Sequence, residues 1–255
     1  MLKVFLAGFN GSMGQEVVKL IDSLPDYEIT GVLAPHLTSL DPATYQLASS
    51  VKMFKKLTDI TGQYDIWIDF TVPSAVYDNT KFAIEHNIKP IIGTSGLTDD
   101  QTIKLQVLAT DKKVGGIIAP NFGLSAILLM KFAQIAAAYF PDAEIIEMHH
   151  TDKKDAPSGT AIQTAQIIAQ NRNHQPEANF ANNPARGADK YGIPIHAVRL
   201  PGYVAHEQVL FGGDGEALTI RQDSFDRHSF MHGVRLALEK VSDLHNLVIG
   251  LENLI

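Results

Sequence analysis

The stretch from Leu2 to Gly14 constrains this chain more than any other. Leu2–Ala7 is an apolar run interrupted only by Lys3, the pattern of a strand buried on both faces within a parallel sheet. It runs straight into Gly8-Phe9-Asn10-Gly11-Ser12-Met13-Gly14. The residues that follow place Val17, Val18, Ile21 and Leu24 on one side at helical spacing. A glycine motif alone says little, but one set between a strand and a helix is the context of a dinucleotide site. Gly8 permits the tight turn, and Gly11 lets backbone N–H groups approach a pyrophosphate. Gly14 lets the helix pack closely, with its positive end toward the phosphates. The alternative is a plain strand–helix turn that needs its glycines for shape.

The first half continues in the same rhythm. Strands are expected at Tyr27–Leu33, Tyr64–Phe70, Lys89–Ile92 and Val114–Ala119, with helices at Ala75–Asn87 and Asp99–Thr110. Strands alternating with helices imply a doubly wound parallel sheet, in which ligands bind past the carboxyl ends of the strands. Four such ends are the loops at 8–14, 70–74, 93–96 and 119–123. The candidate cofactor residues there are Gly8, Gly11, Ser12, Met13, Gly14, Phe70, Thr71, Gly93, Thr94, Ser95, Pro120, Asn121 and Phe122. A site that prefers NAD ends its second strand with an acid for the ribose hydroxyls. Here the tip reads Leu33-Ala34-Pro35-His36, with neither acid nor arginine. The choice between NADPH and NADH stays open, with His36 the candidate partner of a 2′-phosphate.

The pattern changes after a helix at Leu124–Phe140. Strand-like runs at Ala143–His149, Ile193–Leu200, Val204–Phe211 and Glu216–Asp223, with glycine turns between several of them, suggest a mixed or antiparallel sheet. The chain is therefore expected to hold a nucleotide-binding domain (1–122 and 228–255) and an inserted second domain (123–227), with a site in the cleft between them. Asn171–Asn183, rich in Asn, Gln, Pro and His, reads as a surface loop. A closing helix at Ser229–Lys240 packs back on the first domain.

The chemistry concentrates at EIIEMHHTDKKDAPSGTA, residues 144–161. His149, His150, Asp152, Lys153, Lys154 and Asp155 fall within a few positions, just before a helix start that Ser158 caps. The N–H groups of Gly159 and Thr160 then point outward beside Lys153, and backbone donors with a lysine suit a carboxylate or phosphate. A metal held by the paired histidines and an aspartate is disfavoured, because ligands adjacent on a strand point to opposite faces. Asp155 has a second reading as a loop-fixing residue.

Composition narrows the partners. A net charge of −7 argues against nucleic acid or an anionic membrane as the main partner. The chain has no cysteine, hence no disulfide framework and no thiolate ligand, which suits a reducing cytoplasm. The N-terminal apolar run is too short for a signal peptide or a spanning helix.

These residues resemble the dihydrodipicolinate reductase family over essentially the whole chain. The most specific piece is Glu147-x-His149-His150-x-x-Lys153-x-Asp155-Ala156-Pro157-Ser158-Gly159-Thr160-Ala161. Supporting pieces are Gly8-x-x-Gly11-x-Met13-Gly14, Asp69-Phe70-Thr71, Gly93-Thr94-Ser95-Gly96, Asn121-Phe122, Ile195-His196-Ala197-Val198-Arg199-Leu200-Pro201-Gly202, His206-Glu207 and Arg227-x-x-Phe230-x-x-Gly233. The resemblance implies a Rossmann-like domain plus a mixed α/β substrate and tetramerisation domain, and hence a homotetramer. It implies hydride transfer from NADPH or NADH to a cyclic dicarboxylate, and it adds Arg227 to the cofactor set. His149 and Lys153 become the candidate proton donors, Lys153 first; His150, Gly159 and Thr160 become the substrate-binding residues. Two rivals remain: another two-domain amino-acid-pathway dehydrogenase, and a non-catalytic dinucleotide sensor.

Overall fold

The structure is a computed structural model, and it describes residues 1–174 and 183–255. The chain divides into two compact units, Met1–Phe122 with Phe230–Ile255, and Gly123–Ser229. In chain order the first unit begins β1 (Leu2–Ala7), α1 (Ser12–Asp22), β2 (Tyr27–Leu33), β3 (Lys52–Phe54) and β4 (Ile66–Asp69). It continues α2 (Val76–Glu85), β5 (Lys89–Ile92), α3 (Asp99–Lys112) and β6 (Gly116–Ile118). The second unit runs α4 (Leu124–Ala137), β7 (Asp142–His149), α5 (Gly159–Asn171) and β8 (Ala188–Lys190). It ends with β9 (Ile193–Arg199), β10 (Ala205–Gly213) and β11 (Glu216–Ser224). The chain then closes the first unit with α6 (Met231–Val241) and β12 (Leu247–Ile249).

The first unit's sheet has the order β12-β6-β5-β4-β1-β2-β3, with every neighbouring pair parallel. The apolar run of β1 explains its central place: Val4, Phe5, Leu6 and Ala7 are wholly buried, as a strand covered on both faces requires. Phe5 stacks on Trp67 of β4 with ring centroids 4.4 Å apart and meets Tyr64 edge-on at 4.8 Å. Burying side chains of this size contributes roughly 1.5–3 kcal/mol each. On α1 the helical spacing seen in the sequence buries Val17 and Ile21. Thr98 and Gln101 close a reciprocal capping box at the start of α3.

The second unit carries a mixed sheet in the order β11-β10-β7-β9-β8. Only β7 and β9 run parallel; β10 pairs antiparallel with both β7 and β11, and β8 with β9. The two sheets match the expected fold class. Three short strands were not anticipated: β3, β8 and β12, of three residues each. A three-residue strand is too short to display an alternating pattern. Helix α4 stops at Ala137, ahead of the expected Phe140. Pro141 explains this, because the residue before a proline is pushed out of helical geometry. Of the expected loop, Asn171 ends α5, while 175–182 lie outside the described residues.

Candidate active site

The glycine turn sorts its three glycines by job. Gly8 has φ +81°, and a Cβ there would run into the carbonyl of Phe70. A Cβ on Gly14 would meet the carbonyl of Gly8. The fold itself demands these two. Gly11 is different: its φ is −76°, and an added Cβ would find only the Gly8 carbonyl, at 3.4 Å. Nothing in the first unit requires a glycine there, which suits a close approach by something outside the chain. Gly11 is the N-cap of α1, where no side chain caps the helix and no acid occupies the first turn. The amide ends of Ser12, Met13 and Gly14 thus form a positive helix terminus fit for a phosphate.

Asp69, wholly buried at the end of β4, shapes the neighbouring loops. Its Oδ1 accepts from the Thr71 amide (3.0 Å), the Thr71 hydroxyl (2.6 Å) and the Thr94 hydroxyl (2.7 Å). Its Oδ2 accepts from Asn79 (2.8 Å) and from the indole N–H of Trp67 (3.3 Å). The side chains of Thr71 and Thr94 are therefore turned onto Asp69 and fix the strand ends, while Ser95 and Pro120 stay exposed. Phe122 is buried and packs on Phe70 with centroids 5.7 Å apart; a Cβ on Gly93 would strike the Phe70 ring.

A cavity of about 430 Å³ opens over these loops. Gly8, Gly11, Phe70 and Thr71 line one part of it. His36 and Lys55 line another, where the second strand ends. Lys55 was not among the expected residues: it follows β3, whose pairing with β2 brings it beside the tip. The uncapped helix start, the open Gly11 and this cavity fit a dinucleotide. Arg227, which the resemblance adds to the cofactor set, is an exposed residue and falls within the second unit.

The second unit gathers the charge-dense stretch around Glu147, which is completely buried on β7. Arg199, at the end of β9, donates from Nη1 to Oε2 and from Nη2 to Oε1 of Glu147, both at 2.7 Å. This is the bidentate fork that guanidinium and carboxylate geometry favour. The Ser158 amide also donates to Oε1, at 3.0 Å. His149 lies two residues along the same face of β7, and its Nδ1 stands 2.6 Å from Oε2. Burial alone would push the Glu147 carboxyl up, but the bonds from His149 and Arg199 outweigh it and hold it at about 2. An ionised Glu147 accepts, so Nδ1 of His149 carries its hydrogen toward it. Nε2 has no partner among the described residues and is left for chemistry.

Lys153 donates from Nζ to both oxygens of Asp155, at 2.8 and 2.9 Å. This bond holds the Asp155 carboxyl below its usual range. The backbone carbonyl of Asp155 accepts from Arg199 at 2.7 Å, so its loop-fixing part runs through its peptide group and its side chain serves Lys153. Ser158 is the N-cap of α5, as expected, and takes the Ala161 amide at 3.2 Å. The amides of Gly159 and Thr160 remain without a partner among the described residues. A Cβ at Gly159 would touch nothing within 4 Å. His150 is exposed just past the end of β7. Glu147, Arg199 and Glu207 stood in the sequence motifs with no role attached, because what each faces depends on strand register.

Comparison with known proteins gives the same direction. The family model described as dihydrodipicolinate reductase, N-terminus, matches residues 2–122, and its C-terminus counterpart matches 125–255. The 4-hydroxy-tetrahydrodipicolinate reductase of Limosilactobacillus fermentum is 58% identical over 259 residues, covering 100% of both chains. That of Lactobacillus helveticus is 59% identical over 257 residues, covering 99% of this chain and 98% of the relative. A solved dipicolinate-bound dihydrodipicolinate reductase from Paenisporosarcina sp. TG-14 superposes with a TM-score of 0.89 at 44% identity, over 100% of both chains. A probable dehydrogenase from Thermotoga maritima shares only the fold, at 9% identity and a TM-score of 0.67 over 99% of this chain and 92% of its own. With both family models matched end to end, this chain belongs to the dihydrodipicolinate reductase family.

Proposed function

We propose that this chain reduces 4-hydroxy-tetrahydrodipicolinate to tetrahydrodipicolinate at the expense of NADPH or NADH, on the diaminopimelate route to lysine. The observation that carries the reading is the cluster of His149, Lys153, Gly159 and Thr160 around a buried Glu147–Arg199 pair. When bound, the reduced nicotinamide supplies the hydride. Gly8, Gly11, Ser12, Met13 and Gly14 seat the pyrophosphate, and Phe70, Thr71, Gly93, Thr94, Ser95 and Pro120–Phe122 shape the remaining wall. Gly159 and Thr160 hold one carboxylate of the substrate through their amides, and His150 contacts the substrate from the strand end. Hydride addition to a conjugated C=C–C=N unit leaves an electron pair that a proton must quench. Lys153 donates that proton from Nζ, which Asp155 holds in place. His149, fixed by Glu147 through Nδ1, stabilises the developing negative charge from Nε2 when that nitrogen also carries a proton, the ionised Glu147 balancing the imidazolium.

The test is loss of NADPH absorbance on adding freshly made substrate. Turnover is expected; cofactor binding without consumption would instead favour a dinucleotide sensor. Gly11→Val should leave the protein folded, since the site has room, yet abolish quenching of NADPH fluorescence on titration. Retained binding in that variant would refute the pyrophosphate assignment.

The cavity lining at the second-strand tip contains His36 and Lys55 and no carboxylate, which favours a 2′-phosphate over ribose hydroxyls. Lys55→Glu is expected to raise the KM for NADPH roughly tenfold, the equivalent of about 1.4 kcal/mol. The KM for NADH should move little; equal changes for both cofactors would remove Lys55 from the 2′ position. The assembly we propose is a homotetramer formed through the second unit. Its support is β11, a nine-residue sheet-edge strand with Leu218 exposed. Light scattering coupled to gel filtration tests it. Cytoplasmic residence accords with the absence of cysteine. Among the described residues, no helix is long and apolar enough to cross a membrane.

A further inference from the structure

Glu207 is a buried carboxyl that the chemistry above does not use. It sits on β10 with 2% of its surface exposed, directly opposite Glu147 in the antiparallel register, so both side chains leave the same face of the sheet. The two carboxyls have unequal surroundings. Glu147 takes Arg199, His149 and the Ser158 amide. Glu207 has the hydroxyl of Thr164 on α5 as its polar neighbour, and its Oε1 has no hydrogen-bond partner among the described residues.

Among the described residues, the other elements packed on β10 bring no cation to it. On β11 the residue opposite Glu207 is Gln222, whose amide is engaged by Ser125 of α4 at 3.1 Å. Helix α5 carries no charged residue. The one charged residue of α4, Lys131, lies well over a turn beyond Ser125. The charge that bears on Glu207 is that of Glu147, which repels. Burial and this repulsion push the Glu207 carboxyl up to about 7. A neutral Glu207 can donate to Thr164 Oγ1, and Thr164 in turn donates to the Thr160 carbonyl at 3.0 Å. The chain of bonds then ends in the first turn of α5, whose free amides face outward.

We propose that Glu207 is a positioning residue that works as a neutral acid, bracing the carboxylate-binding turn of α5 through Thr164 and leaving Glu147 as the lone buried anion for Arg199 and His149. This rests on the reductase reading only for its kinetic consequence. When Glu207 ionises, two facing carboxylates compete for Arg199 and His149, and the Thr164 hydroxyl turns from the Thr160 carbonyl to the new anion. Turnover should therefore fall as pH rises through neutrality.

Glu207→Gln preserves size and an N–H donor and removes the titration. The ratio of kcat near pH 8.5 to kcat near pH 6 is expected to be severalfold higher in E207Q than in the wild type. A superimposable pH profile, or a lower ratio in the variant, would overturn the proposal. A second readout needs no turnover and no folded variant. Carboxyl-labelled wild type should show the infrared C=O stretch of a protonated acid near pH 6 that fades above about pH 8. Absence of that band would sink the neutral acid even if reductase activity were found. Its presence in a protein that consumes no NADPH would instead count against the reductase reading alone. Thermal melting adds the sign. A carboxyl raised on folding contributes stability at low pH that is lost as pH climbs from the unfolded range near 4.3 to the folded one. The melting temperature of wild type should drop more steeply than that of E207Q over that interval, and parallel curves would contradict the assignment.

Discussion

Replacing Lys153 by alanine is expected to lower kcat by on the order of 10²-fold or more, with little change in substrate KM. Lys153 is held by Asp155 through two hydrogen bonds and stands partly exposed near the open start of α5. The groups proposed to bind the substrate carboxylate, the Gly159 and Thr160 amides, belong to the backbone and survive the substitution. Loss of a transition-state donor with the ground-state contacts intact appears in kcat and in kcat/KM alike. Steady-state oxidation of NADPH checks this directly. A variant with near-normal turnover would remove Lys153 as the acid and transfer the role to His149.

The second large effect is on stability. Glu147→Gln keeps the volume of the side chain but takes the anion away from Arg199 and His149. A pKa lowered to about 2 from the usual carboxyl value implies a contribution of about 3 kcal/mol at neutral pH. Breaking a buried ion pair by removing one partner costs a similar roughly 3–5 kcal/mol. The sign follows from the direction of the shift. Glu147 is depressed on folding, so its contribution is present above the unfolded value near 4.3 and fades as pH falls toward the folded one. Denaturant unfolding at pH 7 should show E147Q less stable by about this amount, with the gap narrowing below about pH 5. A gap that stayed constant down to the acid limit would mean that packing, not charge, was lost. Because the one carbonyl oxygen of glutamine cannot serve Arg199, Ser158 and His149 together, His149 is held less firmly and the same variant should also turn over more slowly than its remaining stability would suggest.

How far each part could be read from the sequence follows the range of the interactions that make it. Ser158 was legible as a cap because its hydroxyl acts three residues away, on Ala161. The β1 run, the turn at Gly8 and Gly14, and the buried stripe of α1 were legible for the same reason. Strands of three residues left too little pattern, so β3 went unseen, and Lys55 with it. Thr164 was passed over because a polar residue at a helical core position looks like an interruption. In the fold it is wholly buried on α5, and its hydroxyl turns back to the Thr160 carbonyl.

Local chemistry, then, determined the strand–glycine–helix opening, the alternation that makes the first sheet parallel, and the histidine–lysine density before α5. Each rests on contacts within about one turn of helix or one strand, which the order of residues specifies directly. Tertiary structure decided the rest. It set Glu147 against Glu207 across β7 and β10 and brought the Arg199 fork from β9. It also separated Gly11, which nothing in its unit crowds, from Gly8 and Gly14, which backbone carbonyls do. A slip of one residue in strand register would turn every one of those side chains to the other face. That register is fixed by the burial of the whole sheet and not by any stretch of sequence read alone.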